Sequence, residues 1–89
     1  LATTDTWETK FKQADGSLIS HIESTQDKMG DDPRKVEWKG DGTGPRQTYY
    51  ANLTDGKRFV FSVDRQNNAV TLKDFGDHDI PKEYGLHVN

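Results

Sequence analysis

Residues Gln47 to Phe75 read QTYYANLTDGKRFVFSVDRQNNAVTLKDF, and their period of two decides the fold class. Tyr49, Ala51 and Leu53 fall on one side of an extended chain. Phe59, Phe61 and Val63 do the same in the next run, with Val60 on the other side, and Val70 and Leu72 follow in a third. Thr54-Asp55-Gly56-Lys57 separates the first two runs. Asp-Gly there is the signal of a tight hairpin, because its central residues must take positive φ. Arg65-Gln66-Asn67-Asn68 supplies a second turn. Three strands joined by two tight turns predict an antiparallel β-meander.

The period changes upstream. Trp7, Phe11, Ala14 and Leu18 follow one helical face, and Leu18, Ile22, Thr25 and Met29 continue it with Ile19 alongside. Asp15-Gly16-Ser17 interrupts the run, since a glycine costs roughly 1 kcal/mol in a helix interior and Ser17 can cap a second helix. Two helices are expected, about 6–14 and 17–29, with Asp5 or Thr6 capping the first. Gly30 and Pro33 stop the second. Arg34 to Lys39 alternates through Val36 and Trp38 as a short strand, and residues 40–45 are a glycine-rich loop. The expected architecture is α+β: two N-terminal helices packed on a small antiparallel sheet spanning about 35–75, then a short tail over 76–89. Pro81 to Tyr84 reads as one helical turn.

Eighty-nine residues suit a single domain over 1–89. Only 30% are hydrophobic and mean hydropathy is -1.00, so core material is scarce, although the aromatics argue against disorder. A marginal domain of this kind suits a partner that covers it. There is no cysteine, which leaves no disulfide and no thiolate site. No apolar run approaches a membrane span, no signal segment opens the chain, and Leu1 in place of Met suggests a processed or excised piece.

Net charge is -3, but it is unevenly spread. Residues 1–33 carry seven acids and three bases, a balance of -4, while residues 34–73 carry eight bases and four acids, a balance of +4. A basic sheet face backed by acidic helices follows from that split.

The densest cluster of chemistry is Gly76-Asp77-His78-Asp79, with Tyr84 and His87 after it. A histidine beside carboxylates keeps its proton to higher pH, which suits a general acid or a cation near a phosphate. The plainer reading is a solvated loop in which the aspartates cap turns. No metal-binding spacing is present, and no cofactor is implied. A second group is the basic set Arg34, Lys35, Arg46, Lys57 and Arg58. Arginine grips phosphate oxygens in two places and suits the charge that builds up when an RNA 2′-hydroxyl attacks the backbone. Tyr49 and Tyr50 can stack on bases. The plainer reading of Lys57 and Arg58 is that they flank a turn and keep a strand from pairing with other chains. Trp7, Trp38, Phe59 and Phe61 stand at core spacings. Asn52-Leu53-Thr54 matches the short N-glycosylation pattern and reads as a strand end.

In order and texture the chain resembles the RelE/ParE-like bacterial toxins. The counterparts are Pro45-Arg46-Gln47-Thr48-Tyr49-Tyr50, then Lys57-Arg58-Phe59-Val60-Phe61-Ser62-Val63-Asp64, then Val70 through Asp79, and finally Tyr84. The helix pair ending at Asp32-Pro33 is similar as well. The resemblance implies an opening strand, for which Leu1 to Thr4 is the available segment. It implies a metal-independent RNA endonuclease acting in the cytoplasm, or a fragment of a secreted toxin, that arrests translation or growth. Its substrate would be RNA, as ribosome-bound mRNA or tRNA, and its partner a cognate antitoxin or immunity protein. Under it Arg46 and Arg58 are the phosphate-binding cations and His78 and Tyr84 the acid/base pair. Lys57, Tyr49, Arg34 and Lys35 are further substrate contacts. Two other readings remain: a non-catalytic protein-binding module, for which the acidic balance and the glycine-rich loop speak, and an acidic antitoxin or immunity protein carried by the helical half.

Overall fold

The computed structural model describes residues 1–31, 47–64 and 69–86. They form β1 (Ala2–Thr3), α1 (Asp5–Gln13), α2 (Gly16–Asp31), β2 (Gln47–Asn52), β3 (Arg58–Asp64), β4 (Ala69–Gly76) and a 3-10 helix, Ile80–Tyr84. The expected strand at 34–39, the loop at 40–45, Arg34, Lys35, Trp38, Arg46, the turn at 65–68 and His87 lie outside the described residues.

The fold is α+β, and the meander stands as expected: β2 pairs antiparallel with β3, and β3 with β4. Asp55 and Gly56 take φ of 51° and 75°, the positive pair that the Asp-Gly hairpin requires. Lys57 N–H closes the turn on Thr54 C=O at 2.8 Å. The sheet is not wholly antiparallel, however. β1 lies parallel to the far side of β4, pairing Ala2 with Thr71 and Thr3 with Leu72, so the order is β1-β4-β3-β2. A chain that leaves β1 through a helical layer and re-enters the sheet at the other edge makes this mixed arrangement possible.

The helix boundaries sharpen the expectation. Thr4, not Asp5 or Thr6, caps α1: its hydroxyl accepts from Trp7 N–H at 3.2 Å. The same hydroxyl donates to Lys73 C=O, so the cap also seals the edge of β4. Asp15 Oδ1 accepts from Leu18 N–H at 2.9 Å and caps α2, the role expected of Ser17. α2 continues through Gly30 to Asp31.

The helices cover one face of the sheet. Trp7, Ile22 and Met29 meet Tyr49, Ala51, Phe59, Phe61, Val63, Val70, Leu72 and Phe75 there. Trp7 stands edge-on to Phe75 at 4.9 Å and to Phe59 at 6.3 Å, the T-shaped geometry that aromatic quadrupoles favour.

The second face is not bare. Tyr50 and Val60 are covered by Ile80 and Leu86, with Tyr84 packed alongside. A register shift in β4 sets up this face. Val60 pairs with Asp74 while Phe61 pairs with Leu72, so Lys73 is an extra, bulged residue. After the bulge, side-chain parity inverts: Phe75 joins the helix-side core, and Asp74 turns to the other face.

Candidate functional site

Arg58 opens β3 at the end of the hairpin, on the face away from the helices, in register with Asn52 on β2 and Gly76 on β4. Alternation along β3 gives Phe59, Phe61 and Val63 to the core, which forces Arg58, Val60 and Ser62 to the opposite side. Arg58 is only 9% exposed there. Its guanidinium lies over the Tyr50 ring, 5.2 Å from the centroid. Among the described residues no hydrogen-bond acceptor reaches Nη1, which is shielded from solvent. A buried cationic donor left without an acceptor is costly, so one in a folded protein calls for an explanation.

Arg58 lines a notch of about 370 Å³ together with Lys57, His78 and the hairpin residues Asn52 to Gly56. The structure therefore gathers three of the sequence-predicted site residues, Lys57, Arg58 and His78, at one place. Lys57 Nζ stands 3.4 Å from Asp77 Oδ1, with both groups in contact with water. His78 is exposed, and its Nδ1 lies 3.4 Å from Asp79 Oδ1. That contact, then the neighbouring Lys82, holds the Asp79 carboxyl below the ordinary aspartate range. Among the described residues no group of three or more His, Asp or Glu converges as metal ligands would.

Two expected site residues are placed elsewhere. Tyr49 is 8% exposed in the helix-side core, where its ring lies 5.9 Å from Phe61. It is not a platform for a base, because strand parity points it towards Trp7's layer and gives Tyr50 to the Arg58 side. Tyr84 does not line the notch. Its hydroxyl donates to Asp74 Oδ2 at 2.8 Å. Burial, then the Asp74 hydrogen bond and charge, push Tyr84 up to about 12. A phenol with its proton committed to a buried carboxylate is poorly matched to acid or base work near neutral pH.

Asp74 carries no role in the sequence reading, yet its carboxylate is buried and holds three partners. Only 4% exposed, it meets Lys10 Nζ at 2.6 Å, Phe75 N–H at 2.8 Å and Tyr84 OH. Lys10 reaches it past the edge of β4 and also donates to Phe75 C=O at 3.0 Å. The cluster ties α1, the bulge and the Ile80–Tyr84 helix together, and its bonds saturate one another, which makes it structural. The signal in sequence was a lone aspartate inside an apolar strand.

A second, larger cleft of about 660 Å³ adjoins the notch, and Lys57 lines both. Its walls include Leu18, Phe75 and Ile80. No helix among the described residues is long and apolar enough to cross a membrane. Comparison with known proteins finds no match: no family model fits the sequence, and no curated protein or solved structure is similar at a significant level.

Proposed function

We propose that this chain is a metal-independent RNA endonuclease of the small bacterial toxin kind, with the scissile phosphate held in the hairpin notch. The observation that carries the reading is the hairpin notch that Arg58 lines together with Lys57 and His78. A phosphodiester seated in the notch is held by Arg58 and Lys57, which offset the charge that grows on phosphorus in the transition state. The RNA 2′-oxygen bonds to phosphorus as the bond to the 5′-oxygen breaks. Water takes the 2′-hydroxyl proton, and His78 in its imidazolium form gives a proton to the leaving oxygen. The products are a 2′,3′-cyclic phosphate and a 5′-hydroxyl. Asp79 steadies Nδ1 of His78 and leaves Nε2 for the substrate. Tyr84 has no part in this version of the site. An antitoxin or immunity protein that covers the notch is the partner the reading calls for.

A non-catalytic binding module is the second reading. Net charge of -3 and the commitment of Tyr84 to Asp74 favour it, since the expected acid/base pair then has His78 alone at the notch. Induced expression in bacteria separates the two. The ribonuclease arrests growth, and Arg58→Ala or His78→Ala relieves the arrest. Growth arrest that persists in both variants, or none in the wild type, counts against cleavage at this notch.

A further inference from the structure

We propose that Asp77 is a gate on the hairpin notch: it draws the Lys57 ammonium towards the neighbouring cleft and yields it to an anion seated beside Arg58. This rests on the phosphate reading of the notch. The pairing follows from the sheet. β3 and β4 run antiparallel, with Arg58 in register with Gly76. One step outward along that register, the residue before Arg58 faces the residue after Gly76, so Lys57 stands opposite Asp77. Their charged ends meet accordingly, Nζ to Oδ1 at 3.4 Å, and opposite charges across a ladder attract. Among the described residues Asp77 is the carboxylate within ion-pair reach of Lys57.

Position gives the pair its consequence. Lys57 lines both the notch and the cleft, whereas Asp77 lines the cleft and not the notch. The second cation of the notch is therefore bonded on its cleft side, and a phosphate beside Arg58 competes with Asp77 for it. The Asp77 side chain is 92% exposed and that of Lys57 36%, so the bond is a weak one in water and exchanges readily. An anion that touches only Lys57 replaces one carboxylate and gains little. An anion that also reaches Arg58 meets a second cation. The gate thus favours anions seated in the notch over anions that approach from the cleft. The carboxylate is not needed for the turn it stands on: the backbone C=O of Asp77 accepts from Ile80 N–H at 3.0 Å, so Asp77→Asn removes the charge and keeps the bond.

Titration of the full chain with inorganic phosphate and with a short 2′-O-methyl oligoribonucleotide, which offers phosphodiesters but no free 2′-hydroxyl, tests the gate. Asp77→Asn tightens both about two- to fivefold, the span of an exposed ion pair. Asp27→Asn, at an exposed position of α2, changes net charge by the same amount and leaves both affinities where they were. In a Lys57→Met background Asp77→Asn has no further effect, which ties the gain to that one ammonium. Affinity unchanged or weakened in Asp77→Asn overturns the gate and leaves the notch standing. So does a gain that Asp27→Asn reproduces, or one that persists in the Lys57→Met background. Phosphate binding that is absent, or indifferent to Arg58→Met, overturns the notch and the gate with it.

Discussion

Arg58→Met separates a functional arginine from a structural one. Methionine matches the aliphatic stem of arginine and carries no charge. In the wild type the side chain is 9% exposed and Nη1 lacks an acceptor among the described residues. A buried unsatisfied donor costs about 1–3 kcal/mol, and a charged one more. The stack on Tyr50 at 5.2 Å offsets part of that, about 0.5–2 kcal/mol. The variant should therefore match the wild type or exceed it by up to about 2 kcal/mol in buffer free of polyvalent anions. Phosphate changes the comparison. At ten times its dissociation constant it stabilises the wild type by about 1.4 kcal/mol and the variant not at all. Urea denaturation of both proteins, with and without phosphate, reads the four values, and equal slopes confirm that both unfold to the same state. A variant less stable than the wild type by more than about 1 kcal/mol without phosphate refutes the reasoning, because the guanidinium then serves the fold.

Asp74→Ala removes the acceptor of three bonds at the β4 bulge and should cost about 3 kcal/mol, with Asp74→Asn between it and the wild type, both read from thermal unfolding. Tyr84 gives a pH signature: its hydroxyl is raised from 10.0 to about 12 in the fold. A raised value means that its contribution is complete below pH 10 and lost as pH climbs towards 12, so urea midpoints should fall across that window and Tyr84→Phe should flatten the fall. Gly56→Ala meets no atom within 4 Å but forces a side chain onto φ of 75°, which costs about 1–2 kcal/mol. Gly16→Ala has the same open space in a helical position and should gain about 0.4–1 kcal/mol in the same denaturation assay.

What the sequence revealed was local. Asp55-Gly56 announces its turn because two positive φ values are a demand of the dipeptide itself. Trp7, Ile22 and Met29 announce the helical layer because one face must be apolar wherever the partner lies. Phe59, Phe61 and Val63 announce their face by alternation. What was hidden depends on residues distant in the chain. Thr4, Asp5 and Thr6 are all fair caps, and the tie from Thr4 to Lys73 C=O selects among them. The bulge at Lys73 leaves no mark in composition, yet it inverts parity and sends Asp74 and Phe75 to opposite faces. β1 is two residues long, too short for a period to show.

The candidate site divides in the same way. Lys57 and Arg58 sit at a turn that was legible, so their nearness to each other was legible too. His78 reaches them because β4 ends beside the hairpin, with Arg58 in register with Gly76. The pair Tyr49-Tyr50 offers one ring to each face, and it is the helical layer, distant in the chain, that buries Tyr49 and takes it from any substrate. Tyr84's role is hidden because a lone aspartate in β4 does not announce that the tyrosine ten residues on bonds to it. The tail looked poor in apolar residues, yet Ile80 and Leu86 suffice to close the second face over Val60.

The most direct test of the account is incubation of purified chain with RNA in the presence of a chelator, with the products analysed for their end groups. The account predicts cleavage that leaves 2′,3′-cyclic phosphate and 5′-hydroxyl ends, lost in Arg58→Met and reduced about a hundredfold in His78→Ala. Intact tRNA, mRNA and ribosomal RNA at high protein concentration, or equal cleavage by the wild type and both variants, would contradict it.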